Sequence, residues 1–173
     1  MKLDRKVFAD LKLIIFDVDG ILTDGRIYHD DSGREMKAFN SKDGLGIRML
    51  QKAGFEVAFL TGRSSHLVDR RAAELGVGTV IQGAADKLAV FEKLLAAKSL
   101  RPFEAAYAGD DLPDLPVLRR VGLALAPADA VQEVKAEADY VCRNKGGRGA
   151  AREMADLILR GSDRWAMVAA EYY

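Results

Sequence analysis

Four short segments carry side chains that could do chemistry together. Asp17-Val-Asp-Gly-Ile-Leu-Thr-Asp-Gly25 sets two carboxylates two residues apart, and Thr61-Gly-Arg63 offers a hydroxyl beside a backbone N–H. Asp86-Lys87 opens a helical pattern, and Gly109-Asp-Asp-Leu-Pro-Asp114 adds three more carboxylates. Three or four carboxylates in one semi-buried cleft would repel one another unless a hard divalent cation held them. Magnesium suits that role, because it takes oxygen ligands and shares its coordination with phosphate oxygens. Phosphoryl transfer then gives each remaining residue a task, since its catalysis is positioning and charge neutralisation around an in-line displacement. Asp17 is the candidate nucleophile, giving an aspartyl-phosphate. Asp19 is the candidate acid and base, brought to the same pocket because the chain turns just past the strand. Thr61 and Lys87 stabilise the anion, and the expected phosphate contacts are Asp17, Gly20, Thr61, Gly62 and Lys87.

These segments sit where strands should end. Lys12–Phe16 is an apolar run stopping at Asp17, and Glu56–Leu60, Thr79–Ile81, Glu104–Ala108, Gly122–Leu125 and Asp139–Cys142 are further strand-length runs. Helical patterns fill the gaps at Gly44–Ala53, Ser64–Leu75, Asp86–Lys98, Pro113–Arg120, Ala128–Ala138 and Gly149–Arg160. The alternation implies an α/β fold with a doubly wound, mostly parallel sheet, whose ligands bind beyond the carboxyl ends of the strands. Arg26–Phe39 interrupts it with two strand-like pieces around Asp30-Asp-Ser-Gly33, which reads as a β-hairpin. The hairpin is too short to be a cap domain, so one domain over residues 1–173 is expected, with a glycine-rich tail from about residue 143.

Composition narrows the function. Twenty-six acidic residues balance twenty-six basic ones, so no overall field recommends nucleic acid or an anionic membrane. No apolar stretch approaches the roughly twenty residues a spanning helix needs. The single cysteine, Cys142, has no partner for a disulfide and reads as a small core residue. With no basic-then-apolar leader at the start of the sequence, a cytoplasmic location is expected. His29 and His66 lack zinc-site spacing, Asp24 reads as a turn residue, and Trp165, Tyr172 and Tyr173 read as packing residues. Asp43 is a candidate helix cap.

Together the four motifs resemble the haloacid dehalogenase superfamily, whose signature is an Asp-x-Asp pair, a Ser or Thr after the second strand, a Lys, and a Gly-Asp-x-x-x-Asp block. The surrounding words DVDGILTDG, KAFNSKDGLGIR, TGR, QGAADK, GDDLPDLPV and GGRGAARE, from about residue 11 to residue 160, are similar to the 3-deoxy-D-manno-octulosonate 8-phosphate phosphatase family, a capless tetrameric branch. The resemblance implies Mg2+ held by the Asp17 and Asp110 side chains and the Asp19 backbone carbonyl, with Asp111 or Asp114 in support. It implies substrate contacts at Asn40, Ser41, Lys42, Asp43, Gly44, Arg48, Arg63 and Arg71, and tail contacts at Arg148 and Arg152. It also implies a homotetramer in which the hairpin lines a neighbour's cleft. A related family acting on a nine-carbon sugar-acid phosphate tends to carry Glu after Thr-Gly. Here that residue is Arg63, whose guanidinium suits a sugar carboxylate. Two further readings remain open: a phosphatase or phosphotransferase of other small phosphates, and a non-catalytic assembly module.

Overall fold

A computed structural model describes residues 5–172, so Tyr173 lies outside it. The chain begins with helix α1 (Arg5–Asp10) and enters strand β1 (Leu13–Phe16), buried along its whole length. Side chains alternate across a strand, so Ile14 and Phe16 enter one core while Leu13 and Ile15 enter the other. A strand covered on both faces must be apolar throughout, which is why LIIF carries no period-two pattern. The hairpin follows as β2 (Tyr28–His29) and β3 (Glu35–Met36), antiparallel, pairing Tyr28 with Met36. Its turn is built by Asp30, whose Oδ1 accepts the backbone N–H groups of Ser32 and Arg34.

The remaining elements alternate: α2 (Ser41–Lys52), β4 (Glu56–Leu60), α3 (His66–Leu75), β5 (Thr79–Ile81), α4 (Lys87–Lys98), β6 (Ala105–Ala108), α5 (Leu115–Leu118), β7 (Leu123–Ala126), α6 (Gln132–Glu137), β8 (Tyr140–Val141), α7 (Ala150–Gly161) and α8 (Trp165–Ala169). The six larger-sheet strands are all parallel, in the order β5-β4-β1-β6-β7-β8. From β1 the chain winds outward to β4 and β5, then returns to the other side of β1 for β6, β7 and β8. The direction of winding therefore reverses at β1, and a crevice opens beyond its carboxyl end. Helices α1, α2, α3, α7 and α8 cover one face and α4, α5 and α6 the other. Each fully buried Leu, Ile or Phe in these layers contributes about 1.5–3 kcal/mol.

Several boundaries differ from the sequence expectation. Helix α2 starts at Ser41 rather than Gly44, because the Asn40 side chain accepts the Lys42 N–H and caps it. The expected helix at Pro113–Arg120 is a 3-10 turn (Leu112–Asp114) running into the four-residue α5, since Pro113 and Pro116 remove helical donors. The expected Ala128–Ala138 helix shortens to α6. Helix α1 has no counterpart in the expectation: it seats Phe8 against Gly161, where a Cβ would lie 2.5 Å from the Phe8 ring. Among the described residues no helix is long and apolar enough to cross a membrane.

Candidate active site

The sheet register brings the expected segments together. Phe16 pairs with Phe59 and with Ala108, so Asp17, Thr61 and Gly109 emerge side by side where β1, β4 and β6 end. The Asp17 N–H donates to the Ala108 carbonyl at 2.9 Å, extending the ladder one residue past the strand. A cleft of about 400 Å³ opens there, lined among others by Asp17, Asp19, Thr61, Gly62, Arg63, Lys87, Asp110, Asp111 and Asp114.

At its floor lies a network centred on Lys87. Helix α4 starts at this residue, capped by Asp86, whose side chain accepts the Ala89 N–H. The Lys87 ammonium reaches Asp17 Oδ2 at 2.9 Å and Asp114 Oδ1 at 2.6 Å. Burial acts to lower its pKa, and the two facing carboxylates overcome that and hold it above the ordinary value. Asp17 Oδ1 accepts the Val18 N–H at 2.7 Å. Burial, opposed by Lys87 and reinforced by Asp114, pushes the Asp17 carboxyl up to about 7. Asp110 is also pushed to about 7, by burial first and then by the charges of Asp17 and Asp114.

Asp114 is saturated with donors. Its Oδ1 accepts from Lys87 and from the Tyr107 hydroxyl, and its Oδ2 accepts the N–H groups of Asp110 and Asp111. It therefore fixes Lys87 and the 109–111 backbone at once. Asp111, the other expected support, is exposed and caps the 3-10 turn through the Leu112 N–H.

Carboxylate oxygens of Asp17, Asp110 and Asp114 all lie within 4.8 Å of one another. When ionised, these three groups face a single ammonium, leaving two negative charges uncompensated. An all-oxygen donor set with that deficit fits a hard divalent cation. Gly20 makes the arrangement possible: its φ is +87°, and a Cβ there would lie 2.0 Å from Asp110 Oδ2. The Asp19 side chain does not join the cluster. It points to the hairpin, where Lys37 pairs with its Oδ1 and Arg63 Nε stands 3.8 Å from its Oδ2.

The expected substrate contacts divide. Arg63 lines the cleft, but Asn40, Ser41, Lys42, Asp43, Gly44, Arg48 and Arg71 do not, and neither do Arg148 and Arg152. Asp43, expected to cap a helix, is buried and caps one other than its own. Its two oxygens accept the N–H groups of Gly149 at 3.2 Å and Arg152 at 2.8 Å, so it caps α7. Arg48 donates to the Glu74 carbonyl at 2.6 Å, and Arg71 packs on Gly44, where a Cβ would meet its Nη2 at 2.4 Å. Lys42, Arg148 and Arg152 line a separate surface depression of about 250 Å³. The tail reaches the site through backbone instead. The Gly147 N–H donates to the Ile21 carbonyl, and a Cβ on Gly146 would sit 1.8 Å from the Gly20 carbonyl oxygen.

Sequence reasoning missed three residues. Tyr107 is the one bulky residue in the strand Ala-Ala-Tyr-Ala, and a buried hydroxyl needs a partner, which was the available signal. Glu35 and Lys37 share one face of the hairpin at period-two spacing, opposite Met36. Nothing local says that this face turns toward Asp19.

A doubly wound sheet whose switch-point strand delivers an aspartate to a carboxylate–lysine floor defines the haloacid dehalogenase class of fold and site, and residues 76–154 match the haloacid dehalogenase-like hydrolase family. The chain is 48% identical over 156 residues to the 3-deoxy-D-manno-octulosonate 8-phosphate phosphatase of Yersinia pestis, spanning 90% of this chain and 83% of that one. It superposes with a TM-score of 0.95 on a probable YrbI family phosphatase of Pseudomonas syringae at 46% identity, covering 97% of this chain and 96% of the other. A TM-score of 0.95 is also found with the 3-deoxy-D-manno-octulosonate 8-phosphate phosphatase of Moraxella catarrhalis, solved with a magnesium ion, a phosphate ion and a KDO molecule, at 40% identity over 98% and 97% of the two chains. The chain belongs to the 3-deoxy-D-manno-octulosonate 8-phosphate phosphatase family.

Proposed function

We propose that this protein hydrolyses 3-deoxy-D-manno-octulosonate 8-phosphate to the free sugar acid and inorganic phosphate, with Mg2+, through an aspartyl-phosphate on Asp17. The observation that carries this reading is the Asp17 carboxylate, held by Lys87 at the end of the switch-point strand with Asp110 beside it. Asp17 and Asp110, with the Asp19 carbonyl, are the groups that would hold the cation, which when bound supplies positive charge to the phosphate oxygens and keeps Asp17 ionised.

In the first step a carboxylate oxygen of Asp17 attacks phosphorus, the bond from phosphorus to the sugar oxygen breaks, and Asp19 donates a proton to that oxygen. In the second, Asp19 takes a proton from water, the water oxygen attacks phosphorus, and the bond to Asp17 breaks to release phosphate. Lys87, the Thr61 hydroxyl and the backbone at Gly20 and Gly62 neutralise and orient the phosphoryl oxygens. Arg63, at the cleft, is placed to pair with the sugar carboxylate, which favours the eight-carbon acid over its nine-carbon analogue.

The product belongs to the inner sugar of lipopolysaccharide, which is consistent with a cytoplasmic enzyme. A homotetramer is supported by the hairpin, where the apolar side chains of Ile27, Tyr28 and Met36 are exposed. The test is phosphate release by wild type and Asp17→Asn on the eight-carbon, nine-carbon and simple alkyl phosphates. A loss of at least about 10³-fold in Asp17→Asn is expected, with the octulosonate phosphate the best substrate. Normal turnover by Asp17→Asn would refute the nucleophile, and a better rate on the nine-carbon substrate would refute the specificity.

A further inference from the structure

Lys37 is a second buried lysine at this site, and the phosphoryl chemistry above leaves it without a task. Its side chain is 2% exposed, and its ammonium pairs with Asp19 Oδ1 and, at 3.4 Å, with Glu35 Oε1. Glu35 also accepts from Arg63 Nη2 at 3.2 Å and from the Ser65 hydroxyl. The root of the hairpin is thus tied to Asp19 and to the loop after β4, while its outer face stays free. Asp19 lies beyond the last ladder hydrogen bond of β1, so nothing in the sheet fixes its side chain. A buried ammonium whose partners are carboxylates is costly to leave unpaired, and it holds those partners in place in turn.

We propose that Lys37, delivered by the hairpin and braced by Glu35, is the positioning residue for Asp19 in proton transfer to the departing sugar oxygen. By engaging Oδ1 it leaves Oδ2 as the oxygen that exchanges the proton. The proposal rests on the reading of Asp19 as acid and base. It differs from a purely structural role for the hairpin in one observable. Positioning of a general acid matters for an alkyl phosphate, whose alkoxide leaving group must be protonated, and hardly at all for 4-nitrophenyl phosphate, whose phenolate departs without a proton.

The experiment compares kcat/KM on these two substrates for wild type, Asp19→Asn, Lys37→Met and Lys37→Arg. Lys37→Met should lose about 10- to 100-fold on octulosonate 8-phosphate but at most about threefold on 4-nitrophenyl phosphate, with Lys37→Arg recovering most of the loss. The ratio between the two substrates within one sample is independent of the folded fraction. Lys37→Gln carries the same comparison if Lys37→Met does not fold. Equal losses on both substrates, or no loss on the alkyl phosphate, overturn the proposal. If Asp19→Asn shows no leaving-group dependence, the reading of Asp19 itself fails. If Asp19→Asn shows it and Lys37→Met does not, only the positioning role fails.

Discussion

Gly20 offers a separable test of how the metal site is shaped, because the fold supplies its own control. Gly20 and Gly54 have nearly the same φ, +87° and +88°. An added Cβ at Gly54 meets nothing within 4 Å, whereas at Gly20 it would lie 2.0 Å from Asp110 Oδ2, 2.3 Å from Cγ and 2.7 Å from Oδ1. Left-handed strain in Ala costs about 1–2 kcal/mol at either position. For a domain of this size that lowers Tm by roughly 2–8 °C. The clash exists only at Gly20, and it must push the Asp110 carboxylate out of place. Asp17 and Asp114 already repel that carboxylate, so moving it outward costs little in the metal-free protein. The cost should appear instead as weaker Mg2+ binding. Gly20→Ala and Gly54→Ala should therefore melt alike in EDTA, while only Gly20→Ala raises the Mg2+ concentration for half-maximal activity, by at least about tenfold, equivalent to ~1.4 kcal/mol. A Mg2+ requirement in Gly20→Ala matching that of Gly54→Ala would refute the inference that this glycine exists to admit Asp110.

Three further outcomes follow from contacts described above. Asp17 and Asp110 must ionise to hold a cation and are pushed up to about 7, so Mg2+ affinity should fall as pH drops from 8 to 6, by roughly tenfold in all for each titrating group, with proton uptake on release visible by calorimetry. Because both native pKa values lie above the ordinary 3.8, their contribution to the stability of the metal-free protein is fullest below about 4 and is lost as pH rises through about 7. Thermal unfolding in EDTA should show a lower Tm at pH 8 than at pH 5, and an unchanged Tm would contradict it. Asp43→Ala should cost about 1–3 kcal/mol by orphaning the partly buried N–H groups of Gly149 and Arg152, with Asp43→Asn intermediate, as read by denaturant titration.

The parts of the site legible in the sequence are those set by local pattern. Asp17, Thr61 and Gly109 each end or follow an apolar run, and a parallel sheet must place such ends together, so three segments separated by more than forty residues could be assembled without coordinates. Lys87 was legible for a related reason, since Asp86-Lys87 opens a helical pattern. Asp43 was only half legible. Its type announces a cap, but the helix it caps lies 106 residues further along, and only the packing of α7 on α2 brings the two together. Asp19 was assigned a pocket without its neighbours, because Lys37 and Arg63 reach it from a hairpin and a loop whose approach depends on tertiary docking. Of the sugar contacts expected from resemblance, Arg63 lines this cleft and those on α2 do not, since spacing along α2 fixes which residues share a helical face, not which opening that face meets.

The tail loop bears on how the molecule becomes active. Gly146 and Gly147 rest against the backbone of Gly20 and Thr23, so a segment near the carboxyl terminus buttresses one near the amino terminus. During synthesis Asp17 and Asp19 leave the ribosome early but stay without that buttress until more than a hundred further residues have followed. A product ending before residue 143 would therefore present these carboxylates on an unsupported loop.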